Sequence, residues 1–246
     1  MFAAFLSTVC ASLLSICVTA LSAFSVTIIF RTSTTANFAQ GSVAAFGCYV
    51  VAKCLNQWGI PVYLGVLPGM LVGVLIGLFI DLMVFRKGRY VGELGKQIIT
   101  MGFVSLFYGG IPLIFGNPEF IPFESFYNTT KAGVDSNLVV KAFGGEIVFT
   151  KHALICTAIT AMVLAVLFLL LKYSKWGLGV RATASSEFTA ELMGINTHVI
   201  TAISWALACA LGVLAAVMYA GGGAMISTSF MGTIQVNAFL ACILGG

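Results

Sequence analysis

Seven apolar runs limit what this chain can fold into: residues 5–30, 36–54, 62–85, 97–116, 153–171, 200–220 and a shorter last run that starts near Gln235. Crossing the roughly 30 Å of bilayer hydrocarbon takes about 20 apolar residues in a helix. Hydrocarbon offers the backbone no outside hydrogen-bond partner, so runs of this length close their bonds internally as helices. Only 8% of the 246 residues are charged, against about 25% in a soluble domain. The expectation is an all-α polytopic membrane protein with about seven apolar segments, a single transmembrane domain over 1–246. The last run reaches only about a dozen residues, with no polar flank, before Gly246. The native protein is therefore expected to continue beyond it, the C-terminus being truncated here.

The placement of charge gives the orientation. Arg86, Lys87, Arg89 and Lys96 lie in one loop, and Lys172, Lys175 and Arg181 in another. Cytoplasmic loops carry such an excess of Lys and Arg. The stretch 117–151 balances Lys131, Lys141 and Lys151 against Glu119, Glu124, Asp135 and Glu146. One span separates it from each basic loop, so it is expected outside. Whether 139–149 forms a strand or lies along the interface stays open. Counting spans back from these loops puts the N-terminus outside, unless one of the first two runs is a half-span. Nothing resembles the basic block of a nucleic-acid-binding protein.

The polar island 172–199 is the most informative loop. A short amphipathic helix is expected over 185–193. Ser185 or Ser186 can cap its start and Glu187 suits the positive end of its dipole. Gly194 followed by Asn196 can stop it. Phe188, Leu192 and Ile195 recur at i, i+4, i+7 as an apolar stripe, with Glu187, Ala190, Glu191 and Gly194 on another face. Such a short helix is marginal alone in water. It must pack against the helix ends, the lipid surface or a soluble partner.

Within the runs, polar groups are few. Asn37, Gln40 and Gly41 open the second run, which then fills with Ser42, Ala44, Ala45 and Gly47. Small residues allow helices to approach closely in lipid, so this helix is expected inside the bundle. The Asn37 and Gln40 amides either tie helices together or line a translocation path. Asp81 lies about one turn from Arg86 and Lys87 and reads as an interfacial charge. Gly109-Gly110-Ile111-Pro112 predicts a kink or break near the end of the fourth run. His152 and His198 are expected at the interface. The seven cysteines read as small buried hydrophobes and offer no metal-ligand spacing. The chain contains no phosphate-binding loop, no G-x-S-x-G and no H-E-x-x-H, so it does not itself hydrolyse ATP. A stand-alone secondary carrier would need a mid-depth ionisable couple, and a membrane-embedded enzyme would need polar residues converging at one depth.

Several passages together resemble a known family. They are Val26-Thr-Ile-Ile-Phe30 with Asn37-Phe-Ala-Gln-Gly41 and Gly47-Cys-Tyr49; Phe85-Arg-Lys-Gly-Arg89 with Ile98-Ile-Thr-Met-Gly102; and Gly177-Leu-Gly-Val-Arg-Ala182 with Glu187 through Met193-Gly-Ile-Asn196. The glycine-rich end of the last run adds to them. The chain resembles the permease subunits of bacterial ABC importers for branched-chain amino acids, which usually carry His where Gln40 stands. The resemblance implies a multi-pass protein of the bacterial cell membrane with no catalytic residue and no cofactor of its own. It implies three kinds of partner: ATP-binding-cassette ATPase subunits, a second permease subunit or copy, and an extracytoplasmic solute-binding protein. The helix in 172–199 would be the coupling helix, with Glu187, Phe188, Ala190, Glu191, Leu192, Gly194, Ile195 and Asn196 at the ATPase contact. The substrate would be Leu, Ile or Val, with urea or short amides as the near alternative. The 117–151 loop would be the docking surface for the binding protein. Separately, Asn37-Phe38 and Asn237-Ala-Phe239 begin two small-residue-rich segments in opposite halves, which are either the trace of an internal repeat or a chance likeness.

Overall fold

The computed structural model describes residues 2–87, 91–116, 123, 126, 137–142 and 145–245. Its helices are α1 (Phe2–Ser33), α2 (Gln40–Trp58), α3 (Val62–Phe79), α4 (Glu93–Phe115), α5 (Lys151–Tyr173), α6 (Lys175–Ser185), α7 (Glu187–Leu192), α8 (Thr197–Gly221) and α9 (Gly232–Gly245). Five of them, α1, α4, α5, α8 and α3 together with the turn that follows it to Phe85, carry apolar stretches of 22 to 25 residues, long enough to cross a membrane. The buried α2 and the short α9 bring the apolar helices to the seven expected. The membrane part is all helical. Outside it, β1 (Asn137–Ala142) and β2 (Gly145–Thr150) pair as an antiparallel hairpin, with Asn137 opposite Thr150. β2 packs on α1. Most of the 117–151 loop, along with Arg89 and Gly246, lies outside the described residues.

The core is built around α8, which packs against α1, α2 and α3. Its Trp205, Cys209, Val213 and Met218 are fully buried. Close packing is not confined to α2, as the sequence suggested, because α3 carries more of it. Gly65, Gly69, Gly73 and Gly77 form one buried face of α3, while Leu64, Leu67, Leu71 and Leu75 are exposed on the others. A Cβ on Gly69 would lie 2.3 Å from Val51 Cγ2 and 3.0 Å from the Gly47 carbonyl oxygen. On Gly77 it would lie 2.6 Å from the Trp205 carbonyl oxygen. Lipid tails are as apolar as leucine, so burying leucine gains little, whereas van der Waals contact between bare backbones gains more. Hence the large side chains face out and the small ones face in.

Of the kink or break expected near the end of the fourth run, the break is absent: α4 runs on through Gly109, Gly110 and Pro112 to Phe115. Proline removes only one backbone bond, and neighbouring packing in a bundle tolerates this. Beyond α3 the chain makes a π-helical turn at Ile80–Phe85, closed by Arg86 N–H donating to the Asp81 carbonyl at 3.0 Å. Asp81 lies in this turn at 6% exposure, on a cavity wall it shares with the basic Arg86 and Lys96.

Candidate functional site

The first candidate region is the polar island. It holds two helices where one was expected. Ser174 caps α6 by accepting from Gly177 N–H at 3.0 Å. α6 folds so tightly under α5 that a Cβ on Gly177 would lie 2.2 Å from the Leu171 carbonyl oxygen. A Cβ on Gly179 would lie 2.5 Å from Ile200 Cδ1. Two glycines, each about 1 kcal/mol worse than alanine in a helix, hide α6 from propensity. The cap residue Ser174 ahead of Lys175 is the signal that could have revealed it.

α7 is shorter than the expected 185–193. The Ser186 hydroxyl accepts from Thr189 N–H at 3.2 Å and starts it. Gly194, at φ +81°, ends it in the left-handed conformation that glycine adopts without strain. There Gly194 N–H donates to the Glu191 carbonyl at 2.9 Å and Ile195 N–H to the Ala190 carbonyl at 3.0 Å. This stop also breaks the expected stripe. Past Gly194 the helical register no longer holds, and Ile195 turns under toward α6, half-buried. Met193 takes its place. Ala190 seats the helix on the bundle at 3% exposure, while Phe188, Leu192 and Met193 stand 72%, 71% and 79% exposed. Behind them, Thr197 Oγ1 donates to Glu191 Oε1 at 2.8 Å, and the Asn196 side chain caps α8 by accepting from Val199 N–H at 3.3 Å. The result is an apolar knob on a rigid, well-bonded stub that leads directly into α8.

The second region is the start of α2. Asn37, Gln40 and Gly41 come together as expected, and all three are buried. Gln40 Nε2 donates to the Ala208 carbonyl at 2.7 Å and to Ser25 Oγ at 3.3 Å. Asn37 Nδ2 donates to Gln40 Oε1 at 3.1 Å. Gln235 Nε2 donates to the Asn37 carbonyl at 3.1 Å. Gly41 makes room for Gln235, because a Cβ there would lie 3.3 Å from Gln235 Oε1. One amide cluster thus joins α1, α2, α8 and α9. Ser25 and Gln235 were not foreseen: Ser25 is one of many Ser and Thr residues in its run and Gln235 lies between Thr233 and Asn237, so neither stands out in the sequence. Phe38 and Phe239 meet with ring centroids 5.2 Å apart, so the two expected repeat segments are neighbours. Gln40→Leu removes both donors and leaves Asn37 without its acceptor. It should lower the thermal inactivation midpoint by an amount equivalent to about 1–2 kcal/mol, the range for polar ties between membrane helices. A light-scattering melt of the purified chain would read this.

His152, at the start of α5, is buried among protein side chains. Phe126 N–H donates to its Nδ1 at 3.3 Å, which leaves the proton on Nε2 to donate to the Met218 carbonyl at 3.0 Å. It pins α5 to α8 on the face that carries the hairpin. His198 is half-buried near α7.

Comparison with known proteins agrees with this geometry. A family model described as branched-chain amino acid transport system / permease component matches residues 8–246. A probable branched-chain amino acid transport permease protein LivH of Methanocaldococcus jannaschii is 28% identical over 237 residues, covering 91% of this chain and 69% of that protein. The high-affinity branched-chain amino acid transport system permease protein LivH of Salmonella typhimurium is 26% identical over 229 residues, and that of Escherichia coli (strain K12) 25% over 218 residues. Each of these two alignments covers 85% of this chain and 68% of the relative. No solved structure matches the chain. With five apolar helices of spanning length and a family match along nearly all its residues, this chain is a multi-pass membrane protein that belongs to the permease components of branched-chain amino acid transport systems.

Proposed function

We propose that this chain is the translocating subunit of an ATP-driven importer that carries Leu, Ile and Val, delivered by an extracytoplasmic binding protein. Separate ATPase subunits supply the energy and a second permease subunit completes the path. The observation that carries the reading is the knob of Phe188, Leu192 and Met193, exposed on a stub whose other side is seated and bonded. Apolar side chains held rigidly in water are what a grooved partner grips. Glu187, Phe188, Ala190, Glu191, Leu192, Gly194, Ile195 and Asn196 together form the contact and its mount. Asn37, Gln40 and Gly41 seal the route in this conformation, since their cluster joins α1, α2, α8 and α9. The hairpin face receives the binding protein. In this reading the substrate's chemistry is untouched, and ATP hydrolysis in the partner subunits does the work.

Proteoliposomes holding the assembled importer test it. Leucine uptake should follow trapped ATP and survive collapse of the proton gradient. Gradient-driven uptake by the purified chain alone would make it a carrier and overturn the proposal.

A further inference from the structure

On the outer side of the bundle, α3 and α8 flank an open trough of about 500 Å³. It lies beside the seam where Gly73 and Gly77 come against the backbone of Cys209 and Trp205. Its floor is Ala202, Ala206 and Ala210, at every fourth position of α8. Val74, Leu78 and Leu82 form one bank, and Val199, Ile203 and Leu207 form the other. Small side chains between two rows of larger ones leave the hollow. Arg86, four residues beyond Leu82, ends the wall, and among the described residues it is the one polar group there. The nearby carboxylates of Asp81, Glu187 and Glu191 line a different cavity, beside α7, where Asp81 also meets Lys96, His198 and Thr201.

We infer that this trough holds one acyl chain of an anionic phospholipid, with the lipid's phosphate on Arg86. Length decides the class of occupant. From Val199 to Ala210 the trough rises about 17 Å. One leaflet is half the hydrocarbon thickness, roughly 15 Å. The trough starts at the basic end and stops near the middle of both spans, Val62–Phe85 and Thr197–Gly221. A helix from a second copy crosses the whole bilayer and would call for a seam about twice as long. An acyl chain fills one leaflet and no more. The headgroup follows from Arg86. Its stem can lie along the apolar bank while the guanidinium reaches the interface, where its forked donors match phosphate oxygens. A zwitterionic headgroup would bring its own cation beside Arg86, whereas an anionic one brings none. Basic pockets between membrane helices select anionic headgroups in this way. A lipid chain in the trough touches α3 and α8 together, and so braces the two helices that the glycine seam joins.

Native mass spectrometry of the intact chain tests this, after release from nanodiscs holding equal parts of phosphatidylglycerol and phosphatidylcholine with identical acyl chains. One phosphatidylglycerol should stay bound, preferred over phosphatidylcholine by about fivefold, the effect of one basic side chain at a membrane surface. Arg86→Gln should bring the two lipids to parity. Lys87→Gln removes an exposed neighbouring charge that is not on the trough wall, and should keep the preference. Ala206→Phe fills the floor and should cut retention of both lipids severalfold, with an unchanged gel-filtration profile. Equal retention of the two lipids by the unaltered chain would overturn the site. So would equal loss of preference in the two charge variants, or undiminished retention by a folded Ala206→Phe chain. Cross-linking of Ala206→Cys to a second copy of the chain would reveal a protein seam in place of the lipid, and would overturn it too.

Discussion

Phe188→Asp combined with Leu192→Asp should strip the ATPase subunits from the permease and stop transport, while the chain still inserts and purifies as a folded bundle. Both side chains are more than two-thirds exposed, so their replacement removes no contact from the core. Buried apolar anchors at an interface are each worth about 2 kcal/mol or more. Losing two, with a carboxylate pushed into each pocket, should weaken association by roughly a thousandfold. Co-purification on an affinity-tagged ATPase, with circular dichroism of the permease alone, separates lost docking from lost folding. Full transport by the double variant would remove the coupling role of α7.

Gly77→Val should be nearly as severe by a different route. Its Cβ would meet the Trp205 carbonyl oxygen at 2.6 Å. That atom belongs to the backbone of the central helix and cannot swing away. Overpacking typically costs about 1–3 kcal/mol and more where nothing can yield. Little folded protein should survive detergent extraction, as judged by gel filtration. Gly102 is the matched control, since nothing lies within 4 Å of a Cβ there. Gly102→Ala should be neutral or stabilise by up to about 1 kcal/mol through helix propensity. A Gly77→Val variant that folds and elutes as well as Gly102→Ala would show that the α3–α8 contact is looser than described.

Spans and the capped stub were legible because they follow from local rules: hydropathy, Ser186 before Glu187 and Gly194 after Leu192. The glycine face of α3 was less visible. Hydropathy scores Gly65, Gly69, Gly73 and Gly77 as weakly apolar and says nothing of which way they point. Their regular spacing carries the information, and its meaning lies in a second helix far along the chain. The amide cluster was half legible for the same reason. Asn37 and Gln40 lie in one segment, but Ser25, Ala208 and Gln235 reach them only through the fold. Ile195 was misplaced because periodicity was carried past a residue that ends it. The burial of Asp81 was not legible because it depends on what packs around the π-helical turn.

The elbow beneath α5 leaves little slack. Gly177 lies against the Leu171 carbonyl and Gly179 against Ile200, so α6 has no room for a side chain between it and either neighbour. A push on the stub must then be handed on to the central pillar, α8, which touches α1, α2 and α3 along its length. Opening should therefore be concerted, with several helices tilting at once instead of one gate swinging alone.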